Sequence, residues 1–288
     1  MQIYLAGGVT GNLIKFWKEA MKIYLAGTYS RTFVIEESMK LYLAGNAPWR
    51  GDGVYDKTIT ENEPYILESY YYIRKDNDWI MKMRPFFKDF LFDSGAFSFL
   101  NNVKKGRPNW EQYIDEYAEF INKHDIDLFF ELDIDPIVGL NEVERLRAKL
   151  EMLTNKKCIP VWHKSRGLEY WKRMCKEYNY IAIGGLVTKE IESKDYAIFI
   201  PLLQIARKEN CKVHGLGFTN MEGIKKYPFH SVDSTAWLYG NRGGFLYQFT
   251  GNGIGKIQTK GKRLIGRPAA VHNFNEWVKF SKYAESNL

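Results

Sequence analysis

The sequence predicts an α/β protein: a (β/α)8 TIM-type barrel, regular or irregular, with N-terminal strand repeats and a C-terminal helix, in a single domain over residues 1–288. Three observations predict it. Apolar, strand-like runs begin near residues 90, 128, 158, 180, 212 and 230, and helical spacing fills most of the gaps between them. That alternation builds a parallel sheet. One or two further strands at the N-terminus bring the count towards eight, and 288 residues with 45% hydrophobic and 26% charged side chains suit one packed α/β barrel rather than a disordered chain. An open doubly wound sheet is the second architecture that fits.

Taken in order, the chain opens on a repeat: Met1-Gln2-Ile3-Tyr4-Leu5-Ala6-Gly7, Met21-Lys22-Ile23-Tyr24-Leu25-Ala26-Gly27 and Met39-Lys40-Leu41-Tyr42-Leu43-Ala44-Gly45. Each copy reads as a short strand ending in glycine, too closely spaced for a strand and a long helix per copy. Residues 46–64 are polar and glycine-rich and read as a loop; Tyr65 to Ile73 reads as a buried strand or a short helix. Phe90-Leu91-Phe92-Asp93 is a strand ending on a carboxylate. Asn109 can cap a helix, with Gln112 at the capping-box position and Trp110, Tyr113, Ile114, Tyr117 and Ile121 at helical spacing. Leu128 to Asp133 reads as a strand, a second helix starts at Asn141, and Cys158 to Trp162 is a strand. Further helices cover Leu168 to Tyr178 and Pro201 to Lys208, flanking a strand at Tyr180 to Ile183. Lys212 to His214 is a strand, Met221 to Lys226 a short helix, and the strand of Asp233 follows. Phe274 to Tyr283 reads as a closing amphipathic helix.

The formal net charge of +7 weakly favours a polyanionic partner and equally suits a lysine-rich solvated surface. Cys158, Cys175 and Cys211 lie far apart and form no CxxC, which fits a reducing compartment and no disulfide framework. No apolar run reaches the roughly 18 residues of a membrane span, and no signal peptide is visible. The expected location is the cytoplasm, with no membrane partner.

In a barrel of this type, the C-terminal ends of the strands share one mouth. Asp93, Asp133, His163, Gly184, Gly185, His214 and Asp233 all occupy such ends. Two carboxylates across a pocket are the equipment of a retaining glycosyl transfer: one attacks the anomeric carbon and the other moves protons. A lone strand-end Asp also suits a helix cap or an ion pair. Asp93 and Asp233 gain weight as a pair because each follows an apolar strand and precedes small residues. Ser94 and Gly95 let a flat ligand approach the backbone, and Phe97 offers a ring face. Glu131, Asp133 and Asp135 alternate, which puts all three on one face if the strand continues; a metal site or a capping cluster is the alternative. A carboxylate there can accept hydrogen bonds from the N1–H and exocyclic amine of a guanine-like base. His163 and His214 are candidate polar wall residues or structural histidines. Gly184-Gly185 marks open backbone or a tight turn. Lys256, Lys260, Lys262, Arg263 and Arg267 can grip phosphates or form a solvated loop.

These strand ends together resemble the tRNA-guanine transglycosylases, and most of all their DNA-acting relatives, the 7-deazaguanine DNA transglycosylases of bacteriophages and bacteria. The resemblance runs from about residue 89 to residue 245. Asp93-Ser94-Gly95-Ala96-Phe97-Ser98 is similar to the family's Asp-Ser-Gly-Gly-Phe-Gln, whose Asp is the general base. Leu132-Asp133-Ile134 is similar to the Leu-Asp-Ile whose Asp recognises the guanine-like edge. Pro160-Val161-Trp162-His163 falls where the family has a strand ending in Gln. Gly184-Gly185-Leu186 and His214-Gly215-Leu216-Gly217 match two glycine-rich strand ends, and Val232-Asp233-Ser234-Thr235-Ala236-Trp237 resembles the segment whose Asp is the nucleophile. Six segments in order are specific where one is not. The resemblance implies exchange of guanine in DNA for a 7-deazaguanine base such as the 7-cyano form, with no cofactor and no metal, in the host cytoplasm if the chain is phage-encoded. Nothing after Cys211 is a cysteine, so the zinc site of the tRNA enzymes is absent, which favours the compact DNA-acting branch. His163 and Ala96 stand in place of Gln and Gly. The repeated Tyr-Leu-Ala-Gly also resembles nucleoside deoxyribosyltransferases. Those enzymes, a tRNA-guanine transglycosylase and a non-catalytic DNA-binding barrel are the alternatives.

Overall fold

The computed structural model describes residues 3–6, 23–26, 38–45, 53–75, 78–99, 108–218, 220–257 and 266–288. The chain divides into two compact units, Met1–Ser38 and Met39–Leu288. In the first, β1 (Ile3–Ala6) and β2 (Ile23–Ala26) pair in parallel, Ile3 opposite Ile23. These are the first two copies of the repeat.

The third copy is β3 (Lys40–Ala44), a strand of the second unit's sheet. With it stand β4 (Tyr65–Ser69), β5 (Asp89–Asp93), β6 (Val161–Trp162), β7 (Tyr180–Ile183), β8 (Lys212–Gly215) and β9 (Ser231–Ser234). The order is β5-β4-β3-β9-β8-β7-β6, and every neighbour is parallel. Parallel neighbours need crossovers, and helices supply them. They include Trp110–Lys123, Leu140–Thr154, Gly167–Glu177 and Phe199–Lys208. An antiparallel hairpin, β10 (Leu246–Phe249) with β11 (Ile254–Ile257), and a helix over Arg267–Asn287 complete the unit.

The sheet is curled. Flat, its edge strands would lie about 29 Å apart at ~4.8 Å per strand. Instead Leu91 of β5 and Val161 of β6 share one buried cluster with Tyr42, Phe130 and Ala182. The segment after Leu128 touches both edges. Phe92 N donates to Leu128 O at 2.9 Å and Phe130 N to Phe92 O at 2.9 Å; on the other side Ile159 N donates to Phe129 O at 2.8 Å and Glu131 N to Ile159 O at 3.1 Å. The result is a curled seven-stranded parallel sheet with helices around it, an α/β fold of irregular TIM-barrel-like form.

Strand periodicity sorts the two faces. Leu41, Leu43, Phe90, Phe92, Ile181, Ile183, Val213 and Val232 join the large core beneath the helices, while their neighbours Tyr42, Ala44, Leu91, Tyr180 and Ala182 fill the small inner cluster. Parity therefore carries Asp93 onto the inner face with Leu91. Ser231 and Asp233 flank the outward Val232, and His214 follows the outward Val213 in the same way.

Several local expectations change. Residues 46–64 contain a helix, Gly53–Asn62, because Tyr55 packs its ring 4.6 Å from Phe274 and 5.8 Å from Trp79, contacts no local pattern encodes. Tyr65 to Ile73 is both readings in succession: β4, then one helical turn over Tyr70–Ile73. The strand expected over 128–133 reduces to bridges at Phe129 and Phe130. Asn109 does cap its helix, its Oδ1 accepting from Glu111 N at 3.0 Å and Gln112 N at 3.3 Å, but the Gln112 side chain donates to Glu116 instead of closing a capping box. The last helix is longer than residues 274–283.

Candidate active site

Asp93 ends β5 beside Ser69 of β4, and Asp233 lies in β9 beside Tyr42 of β3. The Asp93 carboxyl is pushed up to about 7. Burial is the first cause, followed by the charges of Asp133 and then Asp233. Two acids 40 and 140 positions further along the chain therefore act on Asp93. Asp93 sits deep among protein atoms yet keeps part of its surface open. Gly95 N–H and the Ser69 hydroxyl pull its pKa down. The Ser69 pull is the weaker support, because its Oγ meets no partner in good hydrogen-bond geometry.

The turn after Asp93 explains its small residues. Gly95 has φ +69°, and a Cβ there would collide with Ser69 and Tyr71. Ser94 is buried; its carbonyl accepts from Tyr113 Oη at 2.6 Å and its Oγ from Ala96 N at 3.4 Å. Ser94 and Gly95 thus fix the turn that follows Asp93. The side chain of Phe97 lies outside the described residues.

Asp233 is held through one oxygen. Gly217 N donates to Oδ1 at 2.6 Å, and His214 Nε2 stands 3.1 Å from the same atom. Its side chain is 11% exposed, whereas that of His214 is fully buried. His214 therefore lies behind Asp233, packed near the Tyr42 and Phe130 rings, and presents no surface to a base. The sequence expects a wall residue or a structural histidine here, and the structure places the ring beside Asp233 Oδ1 with its side chain fully buried.

Asp133 and His163 do face each other. His163 Nε2 is 2.6 Å from Asp133 Oδ1, and Nδ1 is 3.0 Å from Glu190 Oε2. Burial alone would push the imidazole down. The hydrogen bond and charge of Asp133 outweigh it, Glu190 adds to them, and the pKa rises to about 9 despite Arg166. Both ring nitrogens are then donors at neutral pH. Ser165 N donates to Glu190 Oε1 at 2.7 Å, fixing the outer end of the chain.

Glu131 and Asp135 leave this group. The strand stops after Phe130, and Asp135 opens a helical turn with Pro136. Arg166 forks onto Asp135 at 2.7 and 2.8 Å and reaches Glu131 at 3.2 Å; Arg147 approaches the other Glu131 oxygen at 3.3 Å. The Arg166 and Glu131 side chains are 2% and 1% exposed. Arg166→Met is expected to destabilise the protein by roughly 3–5 kcal/mol in urea unfolding, because it leaves buried carboxylate without its partner.

Gly184 sits under the His163 ring. A Cβ there would lie 2.8 Å from His163 Cε1 and 2.8 Å from Val161 Cγ1. Gly184→Ala is expected to lift the ring off Asp133, cost about 1–3 kcal/mol, and return the His163 pKa towards the ordinary histidine range in an NMR titration. The backbone of the pair is partly committed. Gly184 N donates to Trp162 O at 2.9 Å, and Gly185 O accepts from Ile191 N at 3.1 Å and Thr188 Oγ1 at 3.2 Å. Among the described residues, no backbone hydrogen bond is made by the Gly184 carbonyl or the Gly185 N–H.

Of the basic tail, Lys256 is exposed on β11 with Nζ 4.9 Å from the Phe245 ring centre, and Arg267 is exposed at the start of the last helix. Lys260, Lys262 and Arg263 lie outside the described residues. Sequence reasoning missed Glu190, Gly217, Ser231 and Tyr180. Ser231 was recoverable, since it shares a strand face with Asp233; Glu190 lies in a turn with no such signal. Among the described residues, no three His, Cys, Asp or Glu converge to hold a metal ion, and no helix is long and apolar enough to cross a membrane.

No protein-family model and no curated protein matches the chain. Solved structures do. One assigned as a fructose-1,6-biphosphate aldolase from Coccidioides immitis superposes with a TM-score of 0.53 at 10% identity, covering 86% of this chain and 90% of that one. The carboxyl transferase domain of Rhizobium etli pyruvate carboxylase, with oxalate, gives 0.46 at 12% identity over 87% of this chain and 48% of that one. At 10% identity the first likeness is one of fold alone.

Proposed function

We propose that this chain is a DNA-guanine transglycosylase, exchanging guanine in DNA for a 7-deazaguanine base such as 7-cyano-7-deazaguanine. The observation that carries this reading is that Asp93, at the end of β5, feels the negative charges of both Asp133 and Asp233. We read Leu128–Glu131 as the eighth strand of a (β/α)8 barrel, with these acids in its mouth.

A guanine in a duplex must leave the stack to reach such a mouth. Asp233 attacks C1′ through Oδ2, the oxygen that neither Gly217 N nor His214 occupies. Asp93 in its acid form gives its proton to the departing guanine, and a deoxyribosyl ester of Asp233 remains. The incoming base enters the same slot. Asp133, held by His163, accepts from its N1–H and amine, the Gly185 N–H approaches its carbonyl edge, and Asp93, now a carboxylate, takes the N9 proton. N9 attacks C1′, the ester breaks, and the configuration is retained. A carboxyl with a pKa of about 7 can give and take a proton at neutral pH, which fits both halves. The ester conserves the glycosidic bond energy, so transfer rather than hydrolysis depends on keeping water out. A net charge of +7 suits a nucleic-acid partner, and the work would be done in the cytoplasm, the host's if a phage encodes the chain.

The test incubates the protein with labelled guanine or 7-cyano-7-deazaguanine and, separately, duplex DNA, tRNA and deoxyguanosine, followed by nucleoside mass spectrometry. Incorporation into DNA alone supports the reading. Incorporation into tRNA or deoxyguanosine alone transfers it to another glycosyl acceptor, and salt-sensitive DNA binding without incorporation removes the catalytic claim.

A further inference from the structure

Behind Asp233 lies a buried row of polar groups for which the exchange reaction as written has no use. Tyr180 Oη is 2.5 Å from Ser231 Oγ, Ser231 Oγ is 2.6 Å from His214 Nδ1, and His214 Nε2 is 3.1 Å from Asp233 Oδ1. Three adjacent strands supply it: Tyr180 from β7, His214 from β8, Ser231 and Asp233 from β9. Strand register makes it compact, since His214 pairs directly with Ser231 across the sheet.

We infer that Tyr180, Ser231 and His214 form a one-way relay of hydrogen-bond donors that fixes the Asp233 carboxylate, with Oδ1 received and Oδ2 presented, and that all three are positioning residues. For a neutral imidazole the direction follows from donor counting. A carboxylate only accepts, so His214 Nε2 carries the proton facing it. Nδ1 then accepts from the Ser231 hydroxyl, which in turn accepts from Tyr180. Ser231 and His214 each give in one direction and receive from the other. The rings of Tyr42 and Phe130, 6.1 and 5.4 Å from the imidazole centre, restrain its plane. Gly217 N–H adds a second donor to the same oxygen at 2.6 Å. An Asp side chain turns readily about its last bond, and a nucleophile displaced by about 1 Å can lose about 100-fold in rate. A double clamp on Oδ1, backed by three buried groups, removes that freedom.

The kinetic part of this inference rests on Asp233 being the nucleophile; the relay itself does not. The experiment therefore has two arms on the full chain. In the first, 15N-histidine NMR reads the tautomer of His214, its signals identified by their loss in His214→Gln, and 13C NMR reads the Asp233 carboxylate. A protonated Nε2 with a bare Nδ1 is expected, and Ser231→Ala should shift both the ring and the carboxylate signals. In the second, the rate of covalent adduct formation is followed on guanine-containing DNA. Ser231→Ala should slow it about 10-fold and His214→Phe about 100-fold, with DNA affinity unchanged. His214→Gln, whose amide can donate from the Nε2 position, should recover part of what His214→Phe loses. A proton on Nδ1, or wild-type adduct rates in both Ser231→Ala and His214→Phe, overturns the relay. If His214→Phe does not fold, Ser231→Ala and the tautomer decide. If the unaltered protein forms no adduct, the proposed reaction fails and the NMR arm alone decides the relay.

Discussion

Asp233→Ala should leave no covalent protein–DNA adduct on denaturing gels and should lower base exchange by at least about 10³-fold, as removal of a covalent nucleophile does. Asp233 is the acid whose position is most fully determined. One oxygen is clamped by Gly217 N–H and His214, and the β9 strand behind it is buried. Truncation to Ala also leaves those two donors without their acceptor, at a cost of about 1–3 kcal/mol, so a loss of activity alone would be open to a structural explanation. Asp233→Asn separates the two. Its amide oxygen can replace Oδ1, so folding should survive, while the attacking carboxylate is gone. It also removes a negative charge that helps push Asp93 up, so the Asp93 carboxyl should titrate below about 7 in that variant. Adduct formation at the unaltered rate in either variant would show that a different group attacks the sugar.

Asp93→Asn should uncouple the two halves of the reaction and stabilise the fold. Guanine departure loses its acid and slows, yet the adduct that forms should persist, because no carboxylate remains to take the N9 proton of the incoming base. Resolution should fall by about 10²–10⁴-fold, seen as adduct that survives a chase with 7-cyano-7-deazaguanine. The stability effect follows from the raised pKa. An unfolded Asp titrates near 3.8 and the folded Asp93 near 7, so between those values the folded state binds more protons. Stability that is complete below pH 4 is lost as the pH rises through 7. Complete desolvation would make that loss about 4 kcal/mol; the open side of Asp93 reduces it to about 2 kcal/mol. Urea unfolding should therefore show Asp93→Asn more stable than the unaltered chain at pH 8 and equal to it at pH 4. His163 loses its own contribution over an overlapping window, from the ordinary histidine range up to about 9. The comparison is therefore made between variant and parent at each pH, where that contribution cancels. A variant less stable than its parent at pH 8 would mean that Asp93 is held ionised by partners that Asn cannot replace.

Asp93 and Asp233 could be picked out because each ends or nearly ends an apolar run, and period-two alternation puts the next inward side chain at the strand end. Asn109 was legible as a cap because capping is local: its oxygen needs only the N–H groups two and three residues on. The third copy of the opening repeat was legible as a strand for the same reason. By contrast, the helix at Gly53–Asn62 depends on Tyr55 meeting Phe274, more than 200 residues away, and no local period records that contact.

The acidic alternation at Glu131, Asp133 and Asp135 shows where local reading ends. The pattern is that of a strand, but the strand stops at Phe130, and Arg166 and Arg147 take the outer carboxylates while His163 takes the middle one. His214 looked like Asp93 in the sequence, a polar residue after an apolar strand. The curl of the sheet instead buries it beside the rings of Tyr42 and Phe130, with Nε2 against Asp233.

By itself, then, the sequence determined the alternation of strand and helix, the inward parity of each strand and the list of polar residues at strand ends. These depend on spacing along the chain, and spacing is written in the order of residues. Which of those polar groups meet each other and which are neutralised by a buried arginine was decided only by the tertiary structure. Curling a sheet brings its distant edges together, and the partner of each charge is then set by distances across the fold rather than along it.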